Sequence, residues 1–254
     1  ASKVFSKEIM ANAKILTAKA QSFDRMASAL AYIDLHEVPM VVKADGLAQG
    51  KGVVVATTRE EAKQAVRDSM EHAMFGQAGQ RVLIEQFLAG EELTVMAFTD
   101  GRTVVPMLPA QDHKRVSDGD AGPNTGGMGA YCPAPLGTRE LREQVTAKVL
   151  YPAVEALSRM GCPFQGVLYA GLMIVEGTPY VLEFNARMGD PETQVVLPLL
   201  KTDLLEIIEA IIEHRLDQIA VDWHNDTAVC VVMASRGYPG AYQTGSPIQG
   251  LPTG

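Results

Sequence analysis

The string KADGLAQGKG, running from Lys43 to Gly52, sets two ammonium groups, Lys43 and Lys51, around the closely spaced Gly46, Gly50 and Gly52. Glycine lets backbone N–H groups turn toward an anion, so the string is a candidate phosphate cradle. It is not a Walker A loop. That spacing would need glycine at Asp45 and a hydroxyl at Gly52, and a strand rather than a helix follows. GxGxxG is not matched either. A tight hairpin with solvated lysines fits the same residues, so the string alone decides little.

A second constellation is YVLEFNAR at 180–187. Residues two apart on a strand share a face, so Glu183 and Asn185 point one way while Leu182 and Phe184 point to a core. A carboxylate and an amide oxygen converging on one point are hard ligands suited to Mg²⁺, which keeps waters and bridges to nucleotide phosphates. A half-exposed strand would alternate in the same way. The next stretch, RMGDPE at 187–192, adds Arg187, Asp190 and Glu192 around Gly189 just past the strand end.

Between 110 and 135 lies a long Gly-, Asp-, Asn- and Pro-rich stretch holding QDHKR (111–115) and GPNTGGMGA (122–130). Its length suits a lid or substrate clamp presenting Asp112, His113, Lys114 and Arg115; a solvated charged loop is the alternative. The DGD at 118–120 is no calcium loop, because Gly122, Pro123 and Gly129 stand where its ligands and obligatory glycine should be. His36, His72, His214 and His224 read as surface or satisfied core histidines. In IEQFLAGEE (84–92), a strand running into a short turn, backbone groups and carboxylates could meet an adenine and a ribose, or be a strand end with solvated acids.

These residues need rigid elements. Ser6 is placed to cap a first helix over 7–13, and 24–36 carries Met26, Leu30 and Ile33 on one helical face. Strands are expected at 40–44 and 53–56, flanking the glycine-rich turn 46–52. Thr58 and Glu61 match a capping box for a helix reaching about 72. Strands follow at 81–87, 92–99 and 103–108, with Asp100-Gly101 as a hairpin turn. A single helix over 138–160, a hairpin of 165–175 with 180–186, a helix over 203–214 and a strand over 227–235 complete an α+β chain. No internal repeat or low-complexity tract occurs.

With 254 residues, 47% of them apolar, the chain can bury a sizeable core. Its longest apolar runs are of strand length, far short of the roughly 18 residues of a membrane span. A net charge of −8 disfavours nonspecific binding to nucleic acid or an anionic membrane, so phosphate must be met locally. Cys132, Cys162 and Cys230 lie far apart without CxxC spacing, which suits structural thiols in a reducing cytoplasm. The start lacks a signal-peptide h-region and an initiator Met, and the Gly/Pro-rich tail stops abruptly; both suggest a portion of a longer protein.

Taken in order, these segments resemble the ATP-grasp ligases. The strings KADGLAQGKGVVVA, QDHKR, GPNTGGMGAY, LYAGLM and EFNARMGDPETQ resemble the phosphoribosylamine–glycine ligase family across essentially the whole chain. The resemblance implies an ATP-grasp fold of two α+β subdomains clasping a nucleotide, with the ATP-grasp domain at 1–225, a smaller lid at about 18–86, and the beginning of a truncated C-terminal domain at 226–254. It implies ATP and Mg²⁺, or Mn²⁺, as cofactors. Lys3 and Lys43 would contact phosphate under the turn Gly46, Gly50, Lys51 and Gly52. Glu85, Gln86 and Leu88 would hold adenine, and Glu92 the ribose. Glu183 and Asn185 would ligate the metal. Arg187, Gly189, Asp190, Glu192, Asp112, His113, Lys114 and Arg115 would face glycine and 5-phosphoribosylamine, with Arg187, Asp190 and Lys43 catalytic. Many relatives of the broader class place an acidic metal ligand near Gly171, where LYAGLM offers none.

The implied reaction joins glycine to 5-phosphoribosylamine through glycyl phosphate, giving glycinamide ribonucleotide, ADP and phosphate for purine biosynthesis. It needs charge stabilisation and exclusion of water rather than a protein nucleophile. Another ATP-grasp carboxylate–amine ligase, or a nucleotide-binding portion without turnover, are the rival readings. A cytoplasmic monomer without nucleic-acid or membrane partners is the expected setting.

Overall fold

The computed structural model describes residues 2–46, 52–72, 74–119 and 121–250. Helix α1 spans Lys3–Asn12 and is capped by Ser2, whose Oγ accepts from Phe5 N–H at 3.1 Å. The cap is therefore Ser2 and not Ser6, whose hydroxyl is buried without a partner among the described residues. A second acceptor reaches this helix end from afar: Asp45 Oδ1 takes the Val4 N–H at 3.0 Å.

Strand β1 (Ala20–Phe23), helix α2 (Met26–Leu35), strands β2 (Met40–Ala44) and β3 (Val53–Ala56), helix α3 (Arg59–Met70) and strand β4 (Val82–Gln86) form one unit. Its four antiparallel strands run in the order β1-β4-β2-β3. Ala29 and Ile33 of α2 and Ala62 and Val66 of α3 pack with Met40, Val42, Val82 and Ile84 on a face of this sheet. The expected capping box is present: Thr58 Oγ1 accepts from Glu61 N–H while the Glu61 carboxylate accepts from Thr58 N–H. A 3₁₀ turn, Gly76–Gly79, leads into β4. Gly50 and Lys51 lie outside the described residues.

The larger sheet has the order β12-β11-β5-β6, from β5 (Glu91–Asp100), β6 (Val104–Pro106), β11 (Gln165–Val175) and β12 (Thr178–Asn185). Strand β5 is buried on both faces. Leu93, Val95 and Ala97 enter one core with Met10 of α1 and the apolar side chains of 141–154, whereas Met96 and Phe98 enter a second. At the β5–β6 hairpin, Asp100 accepts the backbone N–H groups of Arg102 and Thr103, which holds its carboxyl below the usual range although burial opposes this.

The stretch 110–135 is not a plain loop. It contains β7 (Gln111–Asp112), β8 (Arg115–Ser117), β9 (Ala121–Asn124) and β10 (Gly129–Cys132), pairing as β8-β9 and, with β13 (Ala228–Val231), as β13-β10-β7. The expected single helix over 138–160 is instead α4 (Arg139–Val145), a π turn over Thr146–Leu150, and α5 (Tyr151–Arg159). Pro152 explains the break, because it donates no N–H to Lys148 and its ring crowds that carbonyl. The short α6 (Thr193–Val196) and α7 (Leu204–Ile212) cover the other face, with Val195, Val196, Ile207 and Ile211 in the second core. The strand expected over 227–235 is confined to Ala228–Val231.

All three cysteines are free; burial pushes the Cys132 thiol up to about 12. Among the described residues, no helix is long and apolar enough to cross a membrane.

Candidate active site

Strand β12 positions the proposed metal ligands through an irregularity. Gly171 of β11 pairs with Glu183, but the next residue, Leu172, pairs with Val181, so Leu182 is an extra residue in β12. The bulge reverses the alternation. Val181 and Phe184 face the first core, while Glu183 and Asn185 share the other face, 3.2 Å apart from Asn185 Nδ2 to Glu183 Oε1. The expectation that Leu182 joins that core is corrected: as the bulged residue it is not among those packed there, and its carbonyl accepts from Lys43 Nζ at 3.3 Å. That bond ties the smaller sheet to the larger at the proposed metal ligands.

Lys43 also meets Glu85 Oε2 at 2.8 Å, and Lys7, from α1, meets Glu85 Oε1 at 3.0 Å. The Glu85 side chain is only 2% exposed. Lys3, one turn before Lys7, donates to the carbonyls of Ala44 at 2.7 Å and Gly46 at 2.9 Å, at the start of the glycine-rich turn. Burial lowers the proton affinity of Lys3, and Glu183 is the main charge opposing this. Gly46 packs where a Cβ would stand 2.6 Å from that of Ala78, so the turn begins in close contact with the 3₁₀ segment. Gln86 N–H bonds to the Lys19 carbonyl at 2.9 Å, and Leu88 lies half-buried in the 87–89 connection to β5.

A second cluster lies across the larger sheet. Gly171 pairs with Thr94 on one side and Glu183 on the other, so a row of three positions crosses the site face with no side chain in the middle. Beside that row, Thr94 Oγ1 donates to Glu192 Oε1 at 2.9 Å, and Tyr169 OH donates to the same oxygen at 2.7 Å. Glu192 is 1% exposed. Burial, and then Glu192, keep the Tyr169 hydroxyl protonated. The Arg187 guanidinium lies 5.9 Å from the Tyr169 ring centroid, on the exposed side.

The fold-back at 110–132 carries Asp112, His113 and Lys114 to this place. His113 N–H bonds to the Gly129 carbonyl and Met128 N–H to the His113 carbonyl, locking the two arms together. Lys114 pairs with Glu92; burial works against its charge, but Glu92, Asp112 and Glu183 together hold the ammonium above its ordinary value. His113 is exposed and rests on the Tyr131 ring at 5.4 Å. Two expected residues turn elsewhere: Arg115 donates to the Gly122 carbonyl at 2.6 Å, and the exposed Asp190 accepts from Gln194 at 2.7 Å.

Asp112 is a strongly perturbed carboxyl. Its Oδ1 is buried without a partner among the described residues, and burial, then Glu192, push its carboxyl to about 7 despite Lys114. The native proton affinity exceeds the unfolded one, so the protonated carboxyl's contribution is full below about pH 4 and lost as pH rises through 7. Asp112→Asn, which cannot titrate, should therefore gain on the wild type by about 1–2 kcal/mol between pH 4.5 and 8, after discounting for remaining solvent access. Thermal melts at both pH values measure this; a constant difference would exclude the perturbation.

Sequence reasoning missed Lys7, Thr94 and Tyr169. Lys7 had a usable signal, four residues from Lys3 on one helical face. Tyr169 had a weaker one, two residues from Gly171 on one strand face.

The two sheets, joined by α1 and by Lys43 across a charged seam, make this an ATP-grasp fold. The solved biotin carboxylase domain of Hydrogenobacter thermophilus 2-oxoglutarate carboxylase, in complex with MgADP, ADP and bicarbonate, shares that fold alone: TM-score 0.68 and 17% identity, over 90% of this chain and 49% of its own. Residues 1–193 match the model of the phosphoribosylglycinamide synthetase ATP-grasp (A) domain, and the chain belongs to that family. It is 52% identical over 254 residues to the phosphoribosylamine–glycine ligase of a Nostoc species, covering 99% of this chain and 60% of the relative. The crystal structure of the Thermotoga maritima phosphoribosylamine–glycine ligase matches with TM-score 0.85 and 35% identity over 95% of this chain and 61% of its own. The chain thus spans about 60% of the length of curated relatives named phosphoribosylamine–glycine ligase.

Proposed function

We propose that this chain is the ATP-grasp portion of an ATP-dependent ligase that joins glycine to 5-phosphoribosylamine through glycyl phosphate, releasing ADP and phosphate. The observation that carries the reading is the Lys43 bridge to the Leu182 bulge, which brings the lid's cation beside Glu183. The clasp would be residues 1–225, with the lid at about 18–86 and a further domain beginning at 226–254. A monomer working in the cytoplasm on small molecules fits this reading.

Glu183 and Asn185, 3.2 Å apart on one face, suit Mg²⁺, or Mn²⁺, which takes one or two protein oxygens and leaves the rest of its coordination to water and phosphate. Half a turn of the Asn185 amide aims its oxygen, rather than its nitrogen, toward the carboxylate's side. The bound metal would neutralise charge on the transferring phosphoryl group. Lys3 and Lys43 would add positive charge there, Glu92 would meet the ribose, and the edge formed by Glu85, Gln86 and Leu88 would meet the base. The glycine carboxylate would attack the γ-phosphate, and the amine would then attack the acyl carbonyl and expel phosphate. Asp112, His113, Lys114 and Arg187 would orient these substrates and keep water from the acyl phosphate.

MgATP at 100 times its dissociation constant should stabilise the chain by about 2.7 kcal/mol, a rise in Tm of roughly 5–10 °C. No shift with millimolar MgATP in a thermal-shift assay would count against a nucleotide site. Phosphate release with glycine plus phosphoribosylamine, and none with alanine, separates this ligase from other carboxylate–amine ligases; MgATP binding without any release identifies a portion that binds but does not turn over.

A further inference from the structure

We propose that Lys7 is a positioning residue that neutralises Glu85, so that Lys43 can leave this carboxylate for a nucleotide phosphate. The proposal rests on the nucleotide site argued above. Two ammonium groups flank one buried carboxylate: Lys7 at 3.0 Å and Lys43 at 2.8 Å, with side chains 14% and 9% exposed against 2% for Glu85. A lone Lys43–Glu85 pair would hold Lys43 in place, because removing one partner of a buried ion pair strands the other charge without compensation. The second cation removes that obstacle.

The two lysines are not equivalent. Besides Glu85, Lys7 is tethered by Thr17 Oγ1 at 2.7 Å and the Ala18 carbonyl at 2.9 Å. Among the described residues, Lys43 has besides Glu85 the longer 3.3 Å bond to the Leu182 carbonyl. Thr17 is itself fixed, donating to the Val181 carbonyl at 2.6 Å beside the bulge. Lys7 therefore stays with Glu85, and Lys43 is the cation free to move. Its destination is the seam between the two sheets, where Glu183 and the start of the glycine-rich turn lie. The spacing of Lys3 and Lys7 on α1 divides the work: one holds the turn and the other holds the carboxylate.

The test measures binding of MgADP and adenosine to the 254-residue chain by calorimetry, and compares the ratio of the two dissociation constants, in which contacts to the base and ribose cancel. Lys7→Met should weaken MgADP about 10-fold or more while adenosine binding holds, so the phosphate increment shrinks. Lys7→Arg should keep the increment. Lys7→Met combined with Glu85→Gln should restore it to within about 3-fold, because nothing then holds Lys43, whereas a purely structural lysine predicts no recovery. An unchanged ratio in Lys7→Met, or a double variant no better than the single one, overturns the role of Lys7. Wild-type chain that binds neither ligand removes the nucleotide reading as well. If Lys7→Met does not fold, the arginine and double variants still decide.

Discussion

Glu183→Ala, placed in a ligase of the relatives' full length built on this sequence, is expected to cut magnesium-dependent phosphate release about 1,000-fold or more while leaving the fold within about 0.5 kcal/mol of wild type. The two halves of that expectation come from the same geometry. Glu183 is exposed, its described side-chain partner is Asn185, and it lies outside every core cluster, so folding does not depend on it. Its place beside the bulge makes it one of the two proposed metal ligands, paired with a glycine that contributes no side chain. With one ligand gone, the amide alone cannot hold a hard dication against water. Phosphate release titrated against Mg²⁺ decides: rates like the wild type's at all concentrations would remove Glu183 as a metal ligand. A loss matched by a fall in Tm would instead point to a structural role.

What the sequence made legible follows from the range of the interactions. The Thr58–Glu61 capping box, the strands flanking the glycine-rich turn and the Asp100-Gly101 hairpin are local, with partners a few residues apart, and the structure has them where they were expected. The α1 cap lies four residues earlier than expected: Ser2 takes the Phe5 N–H, and a further acceptor, Asp45, reaches the same helix end from 41 residues away. The strands inside 110–132 were hidden because glycine, proline and aspartate carry low strand propensity there, and pairing such as His113 with Gly129 supplies what propensity does not. The Leu182 bulge left no mark in the alternation of YVLEFN, yet it decides which side chains face the site. For the site itself, the strings brought most candidate residues forward by type. They did not disclose that Glu92 is occupied by Lys114, that Arg115 turns to Gly122, or that Lys7 shares Glu85 with Lys43.

The buried carboxylate of Glu192 gives the second large effect. Its Oε1 accepts from Thr94 and from Tyr169, partners 98 and 23 residues away, and the close packing extends to Gly189, where a Cβ would stand 2.4 Å from Oε2. Glu192→Ala removes the acceptor of two buried hydroxyls and opens a cavity behind them. Those hydroxyls can still bond each other across 3.1 Å, so the expected cost is about 3 kcal/mol rather than the sum of two orphaned groups and a cavity. Glu192→Gln keeps an acceptor and the volume but discards the charge. With no cation bonded to the carboxylate among the described contacts, and with Asp112 raised in part by it, losing the charge should leave stability unchanged or raise it by up to about 1 kcal/mol at pH 8. The same variant should bring the Asp112 carboxyl down toward its ordinary range and flatten the pH dependence of stability that Asp112→Asn measures. Urea unfolding of both variants at pH 8 is decisive: equal, large losses would mean that the fold requires the charge. A stable Glu192→Gln that no longer releases phosphate with glycine would place the buried charge in the service of substrate, retained against the preference of the fold.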